Sequence, residues 1–135
     1  MVIHRYFLKK NIPYIYVTYS QFPFEAEYHR HYSSSNIQEQ SFWEIYTELF
    51  HQAIKKANVI SIMESYNEVN DFFMIWNKEL LTDKLKTKFG FKGIIMSDWY
   101  AIYSNENQHF TTGLDMNQQG GTVELEQIPS FVKQG

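Results

Sequence analysis

Two stretches of this sequence end an apolar run on groups that can do chemistry. Gly93-Ile94-Ile95-Met96-Ser97 runs into Asp98-Trp99, and Val59-Ile60-Ser61-Ile62-Met63 runs into Glu64-Ser65-Tyr66-Asn67. A carboxylate leaving a buried strand beside an indole suits sugar chemistry. The ring packs on the axial C–H face of a pyranose, and the carboxylate meets an oxocarbenium-like centre. The same two residues also read as a helix cap, Asp98, followed by an indole packed between elements, Trp99. His29-Arg30-His31 would set two imidazoles on one face of an extended stretch, but no third ligand stands at an obvious spacing, so both read as surface histidines. Gly120-Gly121 lacks the remaining glycines and the helix of a phosphate loop and reads as a turn.

Composition narrows the classes. The chain has 135 residues, which allows one domain and falls short of the roughly 250 that an eight-stranded α/β barrel needs. A mean hydropathy of −0.43 argues against a membrane span, as does the lack of any apolar run approaching ~18 residues. Twelve basic against fifteen acidic residues leave no electrostatic footprint for nucleic acid. Zero cysteines exclude a disulfide framework, a thiolate zinc site and a cysteine nucleophile. The first ten residues hold no apolar stretch long enough for a secretory signal, and no Asn-x-Ser/Thr acceptor occurs. Aromatic residues make up 18% of the chain, enough to line a sugar site or simply to fill a core.

The elements that would carry these groups follow from pattern. Tyr14 to Tyr19 is β-branched and aromatic and reads as a strand. Ser33 to Asn36 reads as a loop and marks the main boundary. Ser41 and Glu44 have the spacing of a capping box, opening a helix from about Phe42 to Lys56 with Phe42, Tyr46, Leu49, Phe50, Ala53 and Ala57 on its apolar side. Residues 59–63 form a short strand. A second helix spans Lys78 to Phe89, capped by Asn77, buried along Leu81, Leu85 and Phe89, and stopped by Gly90. Residues 93–97 form another strand, Ser104 caps a third helix over 105–112, and Leu114-Asp115-Met116 forms a last short strand. The order α-β-α-β-α-β predicts parallel pairing with right-handed crossovers.

These residues also carry a family resemblance. Glu44-Ile45-Tyr46 through Phe50 is similar to an E-x-Y-x-x-P-F helix, and residues 61–70 resemble an S-V-M-x-S-Y-N-x-V-N strand. Leu80-Leu81-Thr82-Asp83 through Gly90-Phe91-Lys92-Gly93 to Ser97-Asp98-Trp99 matches L-L-T-D-x-L-x-x-x-x-G-F-x-G-x-x-x-S-D-W, and residues 113–116 match G-L-D-M. Together these motifs resemble the N-terminal barrel domain of glycoside hydrolase family 3, of β-glucosidase type.

The resemblance implies an α/β fold: an incomplete (β/α)8 TIM-type barrel, roughly its last three strands with their helices, over residues 42–121. Residues 1–41 stay unassigned, and 122–135 form a tail or the start of a next element. Asp98 would be the nucleophile of a retaining β-glucosidase, forming a covalent glycosyl–enzyme intermediate. Tyr66 and Met63 would lie beside the sugar, with the Tyr66 hydroxyl in reach of Asp98, and Trp99 would wall the subsite. The substrate would be a β-glucoside or oligosaccharide, with no metal or organic cofactor, no nucleic acid and no membrane. The acid/base carboxyl would belong to a later domain, beyond Gly135. The sequence departs from the pattern at Tyr100, where a glycine follows Ser-Asp-Trp in the family, and at Gln118-Gln119, where Met-Pro stands. Such a piece is expected to be a fragment with little or no hydrolase activity alone, or else an inactive remnant that binds carbohydrate. Unpaired barrel edges favour self-association.

Overall fold

The computed structural model describes strands at residues 3–6 and 14–18, and residues 29, 31–99, 101, 111–118, 129 and 133. The main sheet has the order β1-β2-β4-β7, from β1 (Ile3–Tyr6), β2 (Tyr14–Thr18), β4 (Ser61–Met63) and β7 (Ile94–Met96). β1 pairs antiparallel with β2, and β2, β4 and β7 are mutually parallel. Beyond β7, Met116 forms a parallel bridge to Met96, all that appears of the strand expected at 114–116. The segment before residue 42 thus contributes two strands to the sheet that carries the candidate site. The parallel pairing expected from the helix–strand alternation is present.

A second, smaller sheet joins β3 (Ser34–Ser35) to β5 (Glu68–Val69) and β6 (Phe72–Phe73). Residues 33–36 are therefore not the boundary loop expected of them: Ser34 and Ser35 are paired parallel with β5. The hairpin between β5 and β6 turns on Asn70 and Asp71, both with positive φ (51° and 66°). A tight hairpin turn needs two residues tolerant of that region, and Asn and Asp are such residues after glycine. The turn docks on its neighbours, since Ile37 N–H donates to Asn70 Oδ1 (2.8 Å) and Asp71 N–H donates to Ser34 Oγ (2.9 Å).

The first long helix is continuous through α1 (Glu39–Ser41), a wide π-helical stretch Phe42–Tyr46 and α2 (Thr47–Ala57). It corrects two expectations. Ser41 is already helical and makes no cap, because Gln38, in extended conformation, precedes the first turn. Glu44, which would have closed the box, instead accepts from Gln40 Nε2 one turn back (3.1 Å). The wide turn also rotates the apolar stripe: Thr47, Phe50 and Ile54 are buried, while Leu49 is exposed. Asn58 in the left-handed region ends the helix.

The second helix meets its expectations more closely. A π-helix spans Glu79–Lys88, Leu81, Leu85 and Phe89 are buried, and Gly90 closes it at φ +70°. Asn77 Oδ1 accepts the Leu80 N–H at 3.1 Å, as a cap should. The helix expected over 105–112, with Ser104, lies almost wholly outside the described residues, as do Tyr100 and Gly120-Gly121. The core packs Phe50, Ile54, Leu81, Leu85 and Phe89 of the helices against Ile62 and Ile95 of the sheet. Each such burial contributes about 1.5–3 kcal/mol.

Candidate functional site

β4 and β7 run side by side in register, with Met63 opposite Met96. The ladder continues past both strands: Glu64 N–H donates to Met96 C=O (2.9 Å), and Ser97 N–H donates to Met116 C=O (2.9 Å). The groups that follow each strand, Glu64 to Asn67 and Asp98-Trp99, therefore leave the same end of the sheet. In parallel α/β sheets that carboxyl end is where loops converge and chemistry is housed. Ile62 and Ile95 face the helices. Continuing the alternation of a pleated strand gives Asp98 the face of Met63 and Met96, two residues beyond that pair and away from the helices.

Asp98 is half-buried. Its Oδ1 accepts the Trp99 N–H at 2.6 Å and its carbonyl accepts the Ala101 N–H at 3.2 Å, so the carboxylate is fixed by its own loop. Trp99 is 52% exposed, so part of its ring surface is open at the strand end. Met63 is half-buried on β4. Tyr66 is half-buried, and its ring meets the His31 ring edge-on, with centroids 4.5 Å apart. Beneath it Asn67 braces the loop, donating from Nδ2 to Glu68 C=O (2.8 Å) and to Ser35 Oγ (3.3 Å).

His29 and His31 do not form the two-imidazole face of an extended stretch. His29 lies in a turn at φ 66°, accepting the Tyr32 N–H, while His31 packs on Tyr66. Among the described residues no cluster of three or more His, Cys, Asp or Glu side chains is placed to hold a metal.

Three residues near the site have no role assigned from the sequence. Ser97 is fully buried, accepts the Gln118 N–H at 3.0 Å and donates to Asn117 Oδ1 at 3.5 Å, tying β7 to residues 116–118. Asp115 accepts the Ile95 N–H and a Lys86 ammonium donor, bridging strand and helix. Glu64 is fully buried, and among the described residues neither carboxyl oxygen makes a hydrogen bond of normal geometry, the Asp98 backbone N–H being a near neighbour only. Burial pushes its carboxyl well above the usual range, the Asp98 backbone N–H draws it partly back, and the Asp98 carboxylate adds to the rise. The sequence marks Glu64 as a carboxyl that ends an apolar run, but not that the side chain is sealed from solvent.

The model of the glycosyl hydrolase family 3 N-terminal domain matches residues 20–119. A β-glucosidase of Rhizobium radiobacter is 38% identical over 96 residues, covering 71% of this chain and 12% of that protein. A probable β-glucosidase L of Emericella nidulans is 43% identical over 96 residues, covering 71% and 13%. Among solved structures, the family 3 β-glucosidase of Bifidobacterium adolescentis superposes with a TM-score of 0.74 at 33% identity, over 81% of this chain and 16% of that one. The Kluyveromyces marxianus β-glucosidase in complex with glucose superposes with a TM-score of 0.70 at 35% identity, over 76% and 12%. The chain thus spans 12–13% of the length of these two sequence relatives.

Proposed function

Because this chain belongs to the glycosyl hydrolase family 3 N-terminal-domain family, we propose that it carries the nucleophile of a retaining β-glucosidase site, with Asp98 as the attacking carboxylate and a β-glucoside or oligosaccharide as substrate. The observation that carries the reading is the half-buried Asp98 just past the carboxyl end of parallel strand β7, beside the loop that leaves β4 and followed by an exposed indole. The strands β2, β4 and β7 and the Met116 bridge are read as consecutive positions of an incomplete (β/α)8 barrel, and the chain as a fragment of the domain.

In the reaction the Asp98 carboxylate attacks the anomeric carbon as the bond to the leaving oxygen breaks. That oxygen takes a proton from a second carboxyl, about 5–5.5 Å from the first in a retaining site. Water, giving its proton to that second carboxyl, now ionised, then attacks the anomeric carbon of the glycosyl ester and releases Asp98, so two inversions give net retention. Trp99 walls the pyranose, Met63 and Tyr66 lie beside it, and the Tyr66 hydroxyl stabilises the ionised nucleophile. The hydrogen bond from the Trp99 N–H supports the same assignment, since it fixes the orientation of the attacking carboxylate. Exposed Ile60, Ile94 and Met116 support self-association of the isolated chain, which sedimentation at several concentrations measures.

The test is a 2-deoxy-2-fluoro-β-glucoside with a dinitrophenyl leaving group, which departs without an acid and isolates the Asp98 step. Mass spectrometry of the digested chain is expected to find the fluoroglucosyl ester on Asp98, and none on Asp98→Asn. Glucoside binding with no label on Asp98 would replace this reading with that of a non-catalytic carbohydrate-binding module.

A further inference from the structure

Glu64 is a fully buried carboxyl that the reaction above leaves unused. Its backbone N–H is tied to Met96, which sets it level with Ser97 and one residue from Asp98 across the strand pair. It alternates with Met63 and so takes the helix-facing side with Ile62, opposite the face of Asp98. With 0% of its surface exposed, it has no route to a glycosidic oxygen and is excluded as the second carboxyl of the reaction.

What it can do follows from its neighbours. Among the described residues, Asp98 on the adjoining strand end is the one charge that acts on Glu64, and the backbone N–H that faces the Glu64 carboxyl also belongs to Asp98. Its own loop brings the Tyr66 phenol and the Glu68 carboxyl. The next strand brings Asp115, which is committed to Lys86 and Ile95. Among the described residues no cation is therefore at hand to pair an ionised Glu64, and an unpaired buried carboxylate costs several kcal/mol. Two carboxylates sharing one site cannot both ionise cheaply.

We propose that Glu64 is a positioning residue: it backs the Asp98 loop as an uncharged carboxylic acid, so that the negative charge of the pair resides on Asp98. Ionising Glu64 puts a second negative charge in a sealed space behind the nucleophile and drives the strand ends apart. The sign is that of a group whose folded pKa is raised. Its stabilisation is fully present below the unfolded value and is lost as pH rises through the folded one. The consequence for catalysis rests on the assignment of Asp98 above; the protonation state does not.

The experiment follows the full chain, labelled with carbon-13 at its Glu carboxyls, by NMR across pH. One Glu signal is expected to remain that of a protonated carboxyl at neutral pH while the others titrate in the ordinary range. That signal should be missing from Glu64→Gln, and Asp98→Asn should lower its midpoint as the like charge disappears. The Asp98→Asn response identifies the signal even if Glu64→Gln fails to fold. In parallel, the melting temperature of the parent should fall as pH rises from the ordinary carboxyl range up to that midpoint, a fall that Glu64→Gln lacks. Titration of Glu64 with the other glutamates, or a midpoint indifferent to Asp98→Asn, would overturn the proposal. The expected titration with no fluoroglucoside labelling at any pH would uphold the pairing and sink the glycosidase reading instead.

Discussion

Asp115 Oδ2 accepts the backbone N–H of Ile95 at 2.9 Å, in the middle of strand β7. Its other oxygen accepts from Lys86 Nζ at 2.7 Å, so one carboxylate fastens both the strand and the helix that precede Asp98. A hydrogen bond to a charged group contributes about 1.5–3 kcal/mol net, whereas a partly exposed ion pair contributes about 0–1 kcal/mol. Asp115→Ala is therefore expected to lower the free energy of unfolding by about 2 kcal/mol, and Lys86→Ala by less than about 1 kcal/mol. Urea denaturation measures both. Equal losses would mean that the ion pair, and not the bond to β7, holds this end of the sheet.

Gly93 lies where the chain crosses from helix to strand, and Ile94 N–H donates to the Ile60 carbonyl at 3.0 Å. A Cβ at Gly93 would run into that same carbonyl, which belongs to backbone and cannot move aside. At Gly90 a Cβ would have only the end of Lys55 nearby, at 3.6 Å, and the cost is that of φ +70°. Gly93→Ala is expected to cost more than about 2 kcal/mol, and Gly90→Ala about 1 kcal/mol. Thermal melts rank the two, and the opposite order would mean that backbone conformation outweighs the close approach.

The β5–β6 turn allows a stabilising change. Asp71 holds φ 66° and contributes its backbone N–H, not its carboxylate, to Ser34 Oγ. Asp71→Gly keeps that bond and relieves the left-handed strain, so it is expected to raise stability by about 0.5–1 kcal/mol. Asn70→Gly relieves the same strain but removes the Oδ1 that the Ile37 N–H uses, and should give no gain. A shift in melting temperature for Asn70→Gly equal to that for Asp71→Gly would show that the side-chain bond contributes nothing.

Legibility in the sequence followed the length over which a pattern repeats. Leu81, Leu85 and Phe89 lie at clean helical spacing with Asn77 before them and Gly90 after, and both stripe and ends appear where expected. The first helix misled because its wide turn over Phe42–Tyr46 breaks the 3.6-residue period, leaving Leu49 outside and Ile54 inside. The β5–β6 hairpin escaped notice because each strand has two residues and its turn, Asn70-Asp71, lacks a glycine. At the site, Asp98 and Trp99 stand out because they follow an apolar strand, whereas Met63 and Tyr66 are named only through the family resemblance. The burial of Glu64 and the seat of Tyr66 against His31 depend on which strand lies beside which, and no local pattern encodes that.

That seat separates positioning from chemistry. The His31 ring meets Tyr66 edge-on, and such pairs contribute about 0.5–1.5 kcal/mol. Tyr66→Phe keeps the ring against His31 and removes only the hydroxyl. If that hydroxyl serves the ionised Asp98, the loss of one hydrogen bond of about 1 kcal/mol slows fluoroglucoside labelling roughly fivefold. The melting temperature should stay within about 2 °C, because the packing survives. His31→Ala removes the packing instead, so it is expected to lower the melting temperature and the labelling rate together. Labelling by Tyr66→Phe at the parental rate would remove the phenol from the reaction and leave Tyr66 as a packing residue for the loop.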